Sequence, residues 1–336
     1  MKIIMIKALV VLSFVMSVPF FAGWKFQPIA EYPRVLEDIP QKEGLSGIAK
    51  INDNEYYVVN DKFGLLHKVE IGMNRETGAV TNFVRKKTVK LEGRIDIEAV
   101  VWDRVNNVVT IVDERDCTIR SFNPETGKEV AKIEIPEVYH SSSRIVNASF
   151  ESLAMSPDGL SLWTCNESAL RKDGAEASAK SGSDVRIQRF RRKDFKSLWE
   201  PDGQWCYRTE KNPSINLGNK RVCGIAELLV MPDGKVIALE RRLKVAKWRL
   251  PTIVCGLYEI DFTNATDTSA IPKLCEAEIK RVEKKCLYTA NTGFAVYEGM
   301  CFGPKLNDGT QTLILVSDGD EGAASRVMSF KISAGD

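Results

Sequence analysis

With 336 residues, 47 basic and 45 acidic side chains and a net charge of +2, the chain has no bulk field to draw it to nucleic acid or to an anionic membrane, and no polybasic run stands out. A hydrophobic fraction of 44% can fill a sizeable core, in two average domains or one large all-β domain.

The first element is apolar. Met1, Lys2 and Lys7 supply positive charge, residues 8–21 are almost entirely apolar, and Gly23 and Trp24 end the run. The stretch is short for a membrane span and suits a secretory signal over residues 1–22. Ala22 could precede the cleavage point, although Phe20 is larger than the usual residue at its position; the alternative is an uncleaved anchor. No other segment is long and apolar enough to cross a bilayer. The expected product is therefore a soluble, secreted or periplasmic monomer. Its eight cysteines (Cys117, Cys165, Cys206, Cys223, Cys255, Cys275, Cys286 and Cys301) are even in number, and export makes disulfides the expectation. Buried thiols are the alternative. No CxxC pair points to a zinc ribbon.

Beyond the signal, five segments share one pattern: a Gly or acidic residue, a short apolar strand, a turn, a second apolar strand, then an acidic residue or Asn. They read GLSGIAKINDNEYYVVND, IEAVVWDRVNNVVTIVDE, FESLAMSPDGLSLWTCNE, AELLVMPDGKVIALER and YEGMCFGPKLNDGTQTLILVSD. Taking Ser46, Glu98, Glu151, Glu227 and Glu298 as leading positions, and Asp61, Asp113, Asn166, Glu240 and Asp318 as trailing ones, the separations are 15, 15, 15, 13 and 20. Pro157-Asp158-Gly159 and Pro232-Asp233-Gly234 supply turn chemistry, a fixed φ followed by residues that tolerate the left-handed region.

Each hairpin leaves room for two further strands. Candidates are 65–71 and 80–89, then 118–122 and 129–135, then 185–190 and 204–209, then 256–262 and 274–287. The fifth unit has 325–332 and then ends, so its outer strand is expected from 26–32 at the mature N-terminus. Repeated four-stranded units of about 50 residues predict an all-β propeller over residues 25–334, closed by strands from both ends. Five antiparallel blades are counted, and a sixth could hide in the longer intervals of the third and fourth units. Segment 170–183 is expected to be an exposed loop able to overhang one face.

In a propeller the first strand of each blade lines the axis. Ser46, Glu98, Glu151, Glu227 and Glu298 are therefore expected to ring one mouth, where like charges need a cation, a basic side chain or protons between them. All-oxygen donors suit Ca²⁺, and these five are its candidate ligands. The alternative is structural closure by caps and ion pairs. Candidate substrate contacts are Asp61, Lys62, Asp113, Arg115, Glu167, Glu240, Arg241 and Asp318; Asn60, Glu114, Asp320, Arg242 and Arg94 lie beside them in sequence. Glu98, Glu151 and Glu298 are candidate catalytic groups, with Arg144 to hold an anion. His67 and His140 are the only histidines, too few for a multi-histidine zinc site. No GxSxG elbow, P-loop or GxGxxG motif following a strand occurs.

The ordered series GLSGIA, DIEAV, FESLAMSPDG, AELLVMPDGKVIALERR and YEGMCFGPKLNDGTQTLILVSDGD resembles the phytase-like family, named for the esterase-like activity of phytase. The resemblance runs from about Gly44 to Ile332. It implies an extracytoplasmic propeller and carries acidic positions to Glu98, Glu151 and Glu298, with Ser46 in the first unit. The chain departs from the common Glu-Gly pair at Glu98-Ala99 and Glu151-Ser152, where small residues remain. Its modest charge differs from the dense acids of true β-propeller phytases. Three functions follow as expectations: a calcium-dependent hydrolase of a small anionic phosphate or carboxylic ester, a non-catalytic propeller for a ligand or surface partner, and a lactonase-type propeller with a central divalent ion.

Overall fold

The computed structural model describes residues 23–29, 34–36, 44–93, 95–140, 149–212, 223–244, 252–319 and 324–335. They form five antiparallel sheets arranged as the blades of one propeller. Blade 1 contains β3 (Gly47–Lys50), β4 (Glu55–Asn60), β5 (Leu65–Met73) and β6 (Val80–Lys90). Blade 2 contains β7 (Ile97–Asp103), β8 (Val108–Asp113), β9 (Thr118–Phe122) and β10 (Glu129–Ile133). Blade 3 contains β11 (Ala154–Met155), β12 (Ser161–Cys165), β13 (Asp184–Arg191) and β14 (Glu200–Arg208). Blade 4 contains β15 (Gly224–Val230), β16 (Val236–Lys244), β17 (Thr252–Asp261) and β18 (Glu283–Gly293).

Blade 5 joins both ends of the chain. Strands β19 (Val296–Lys305), β20 (Gln311–Asp318) and β21 (Arg326–Ala334) come from the C-terminus, and β1 (Trp24–Pro28) pairs antiparallel with β21, Phe26 opposite Ile332. The short β2 (Arg34–Val35) adds to the same strand. The expected closure is therefore present, and the long intervals hold no sixth sheet among the described residues.

The apolar residues explain why the blades assemble. Five buried clusters each join two neighbouring blades. Between blades 1 and 2, Val59 and Leu66 meet Val100 and Ile111. Between blades 4 and 5, Leu239 and Leu257 meet Leu313 and Phe330. A sheet face must be covered, and here each blade covers the next. At roughly 1.5–3 kcal/mol for each fully buried large aliphatic or aromatic side chain, these interfaces are the main cohesive term. Near the axis the approach is closer. A Cβ built on Gly47 would stand 2.9 Å from Ala99 Cα, and one on Gly299 would stand 2.9 Å from Gly47 Cα. This contact accounts for the small residue that follows the leading position in these blades.

Two expectations are corrected, and a third is placed in detail. The strand expected over 274–287 is instead a short 3-10 turn at Leu274–Glu276 followed by β18. That excursion packs on blade 3, where Val282 N–H donates to Cys206 O at 3.0 Å. Loop 170–183 is exposed over much of its length, as expected, and is anchored to blade 3. Buried Asp173 pairs with Arg186 of β13 at 2.6 Å and accepts Leu274 N–H at 2.9 Å. No two of the eight cysteines, all of them among the described residues, are joined in a disulfide. Cys117, Cys165, Cys255 and Cys301 fall in four different inter-blade clusters, where each serves as a small apolar filler.

Candidate active site at the axial mouth

The axial side chains are set by one backbone device repeated around the ring. In blade 2, Ile97 pairs with Asp113 and Ala99 with Val112, leaving Glu98 as the extra residue of a β-bulge. In blade 5, Tyr297 pairs with Ser317 and Gly299 with Val316, so Glu298 is bulged in the same way. Blade 3 has the bridge Phe150–Asn166, and Glu151 N–H donates to Cys165 O. Blade 1 repeats that bond from Ser46 N–H to Val59 O. A bulge leaves one residue outside the ladder and re-aims its side chain, here toward the axis.

In blade 4 the same register selects a different residue. Ile225 pairs with Glu240 and Glu227 with Leu239, so the bulged residue is Ala226. Glu227 takes the place occupied by Ala99 and Gly299 elsewhere, against the neighbouring blade. Its Oε1 accepts the N–H groups of Leu153 and Leu228, both at 2.9 Å, and it is 1% exposed. Burial raises its pKa well above the usual carboxylate range, against the pull of those two N–H groups. Glu227 is thus a clasp between blades 3 and 4 and not a member of the ring.

The trailing positions also change register. Asp61, Glu114, Glu167, Arg241 and Asp318 are the equivalent residues, each just past or at the end of the second strand of its blade. Expected contacts Asp113 and Glu240 sit one residue earlier; Asp113 turns into its own blade and Glu240 lies between blades 3 and 4. Asp113 pairs with Arg120. Glu240 accepts Tyr207 O–H at 2.8 Å and pairs with Lys284 at 3.0 Å. Asn166 likewise accepts Arg186 N–H at 3.0 Å. Lys62 and Arg115 are exposed beside Asp61 and Glu114. Arg94, Arg144 and Asp320 lie outside the described residues.

The register therefore gathers seven acids, Asp61, Glu98, Glu114, Glu151, Glu167, Glu298 and Asp318, with one base, Arg241. Arg241 is buried and bridges three of them. Its Nη2 lies 2.6 Å from Glu151 and 2.9 Å from Glu167, and its Nη1 donates to Glu298. Burial opposes its charge, but Glu298, Glu167 and Glu151 outweigh that and keep it protonated. One cation cannot offset seven carboxyls, and protons take up the surplus. Burial and the Asp318 charge lift Asp61 to about 6. Burial and Glu167 lift Glu114 to about 7. Burial, with Asp318 and Asp61 behind it, lifts Glu298 to about 8 despite Arg241. Glu98 is raised well above its ordinary value by burial first, then by Glu114 and Glu298. Gly44 makes room for this side of the mouth, since a Cβ there would stand 1.4 Å from Asp318 Oδ1.

The calcium set expected from sequence does not fit. Glu227 is committed to backbone amides, Ser46 Oγ donates to Ile97 O at 2.6 Å, and Glu151 and Glu298 face the guanidinium. No three His, Cys, Asp or Glu among the described residues are placed to share a metal ion. Below the acids, Ile48, Val100, Leu153, Leu228 and Met300 form an apolar belt. It floors a separate cavity of about 370 Å³ at the opposite mouth, rimmed by Trp102 and Phe302. The acids and this cavity thus lie on opposite sides of the belt.

Among solved structures, a streptogramin B lyase is similar at 10% identity, with 93% of this chain and 98% of that one covered and a TM-score of 0.34. A luciferin-regenerating enzyme is similar at 11% identity, with coverage of 94% and 98% and a TM-score of 0.39. The hydrazine synthase of Kuenenia stuttgartiensis gives 13%, 86% and 81%, and 0.40. These likenesses carry no functional argument. No curated protein matches the chain. The model of the phytase-like family, described as the esterase-like activity of phytase, matches residues 40–321, and the chain belongs to that family.

Proposed function

We propose that the protein is an exported hydrolase of an uncharged carboxylic ester, open-chain or cyclic, and that the axial carboxyls perform the reaction. The observation that carries this reading is the placement of Glu98 at the bulge of β7 and of Glu114 just past the end of its partner β8, where burial and neighbouring carboxylates raise both groups, Glu98 well above its ordinary value and Glu114 to about 7. With one of the two ionised, its carboxylate takes a proton from water as the water oxygen adds to the ester carbonyl. The neutral partner gives its proton to the departing alkoxide as the carbon–oxygen bond breaks. Acid and alcohol are the products, and the pair ends with its proton exchanged between members.

The same electrostatics favour an uncharged substrate. Seven acids against one buried arginine give the mouth an excess of negative charge at any pH where they ionise, and Arg241 is turned inward on its own carboxylates. A phosphate monoester would enter against that field. The family's esterase-like description supports ester chemistry, and the apolar N-terminal run supports export.

The test is a panel of a neutral chromogenic carboxylic ester, a lactone and a phosphate monoester, run with wild type, Glu98→Gln and Glu114→Gln. Turnover of a neutral ester should fall at least about 100-fold in Glu98→Gln, the usual weight of a general acid or base. The wild-type pH profile should bend near 7 as Glu114 titrates. Preference for the phosphate ester, or full activity in Glu98→Gln, would contradict the proposal.

A further inference from the structure

The belt below the acids does not fill the channel. Its residues Ile48, Val100, Leu153, Leu228 and Met300 stand two positions after Ser46, Glu98, Glu151, Ala226 and Glu298. Two positions further on, Lys50, Trp102, Met155 and Phe302 line the cavity of about 370 Å³ at the opposite mouth. All four are half-buried. Trp102 is braced edge-on by Tyr57, with ring centroids 5.2 Å apart. We propose that this cavity is a binding site for one small, uncharged aromatic molecule, separate from the acidic mouth and not part of the hydrolysis.

The lining sets the chemistry of the occupant. The belt closes the floor, and the volume is that of a small-molecule site. Trp102 and Phe302 offer aromatic surface, and the thioethers of Met155 and Met300 adapt to the edge of a ring. Apolar side chains scattered singly over a surface call for no cover, but here they are gathered in one concavity. The polar groups at the rim are committed to the protein itself. Lys50 Nζ lies 2.9 Å from Asp53 and donates to Gly303 O at 2.9 Å. Gln311 Nε2 donates to Gly303 O at 2.8 Å and to Thr312 O at 3.0 Å. No Asp or Glu is among the described residues that line the cavity. A charged ligand would therefore be buried without a partner, a cost that an uncharged ring system avoids.

The experiment is a fluorescence titration of the protein with two probes of one skeleton, the neutral N-phenyl-1-naphthylamine and the anionic 8-anilinonaphthalene-1-sulfonate. It needs no ester, so its outcome is separable from that of the hydrolase reading, and Glu98→Gln should bind as wild type does. The neutral probe should saturate at one per chain, and the sulfonate should bind at least about tenfold more weakly. Phe302→Glu and Met155→Glu each set a carboxylate at the rim and should weaken the neutral probe by about tenfold or more. Leu198→Glu, at an apolar residue 84% exposed between β13 and β14, should leave its affinity unchanged. Thermal melting shows whether each rim variant is folded; if one is not, the other variant and the two probes on wild type still decide. No saturable binding of the neutral probe, equal or tighter binding of the sulfonate, or unchanged affinity in the folded rim variants would overturn the proposal. So would dimerisation of wild type that Phe302→Glu abolishes, since a second copy of the chain would then cover this mouth.

Discussion

Replacement of Glu227 separates its two possible roles, ring carboxylate and inter-blade clasp. Its Oε1 satisfies two buried N–H groups, on Leu153 of blade 3 and on Leu228 beside it. Glu227→Leu leaves both without an acceptor. An orphaned buried donor costs about 1–3 kcal/mol, so the two together cost about 2–6 kcal/mol, reduced by whatever is regained from no longer burying a carboxyl. Glu227→Gln keeps an amide oxygen in the same place and should stay within about 1 kcal/mol of wild type at pH 5. The pH dependence adds a second check. A carboxyl whose folded pKa is raised contributes stability in full below its unfolded value, and that contribution is lost as pH rises toward the folded value. Gln has no such loss, so it should gain on wild type between pH 5 and 8, at up to about 1.4 kcal/mol per pH unit. Urea unfolding at the two pH values measures both effects. A Leu variant with the wild-type midpoint, or a Gln variant as damaged as Leu, would refute the clasp.

Three further outcomes follow from other contacts. Gly47→Val forces branched atoms into a space where even a Cβ stands 2.9 Å from Ala99 Cα; it should cost about 3 kcal/mol or more in urea unfolding, and a neutral result would contradict the backbone contact between blades 1 and 2. Stability should fall from pH 5 to pH 8.5 as Asp61, Glu114 and Glu298 are forced to ionise through about 6, 7 and 8. On the acid side Asp184 works in the opposite sense. Burial would raise it, but Arg281 and Arg208 hold it at about 2, so its contribution is present above about 4 and lost as pH falls toward 2. A melting temperature that climbs from pH 5 to 8.5 would contradict the axial assignment.

Most of the fold was legible because its signals are local and repeated. Each hairpin carries its own apolar strands and turn, and the unpaired last blade called for an N-terminal strand, which β1 supplies. The site was legible in kind but not in register. Counting from the first acid of AELLV selects Glu227. Alignment on the turns instead, Pro157-Asp158-Gly159 over Pro232-Asp233-Gly234, places Ala226 opposite Glu151. The anomalous separation of 13 was the trace of that shift. The endings VVND, IVDE, TCNE, ALER and LVSD likewise stack Asp61, Glu114, Glu167, Arg241 and Asp318 in one column. An arginine in a column of acids was visible there; that it turns inward to bridge two other blades was not, because sequence order holds no information on side-chain direction across the axis. The cysteines misled for a related reason. Their even number is a property of the chain, while pairing needs two sulfurs in one interface, and the folded chain spreads them among several.

The most direct measurement is a crystal structure of the protein grown in millimolar calcium, with anomalous scattering read at the axis. The account predicts the Arg241 guanidinium between Glu151, Glu167 and Glu298, Ala226 at the bulge of blade 4, Glu227 on the amides of Leu153 and Leu228, and no calcium peak among them. A calcium ion bound by Glu98, Glu151, Glu227 and Glu298, with Arg241 turned out of the ring, would contradict it.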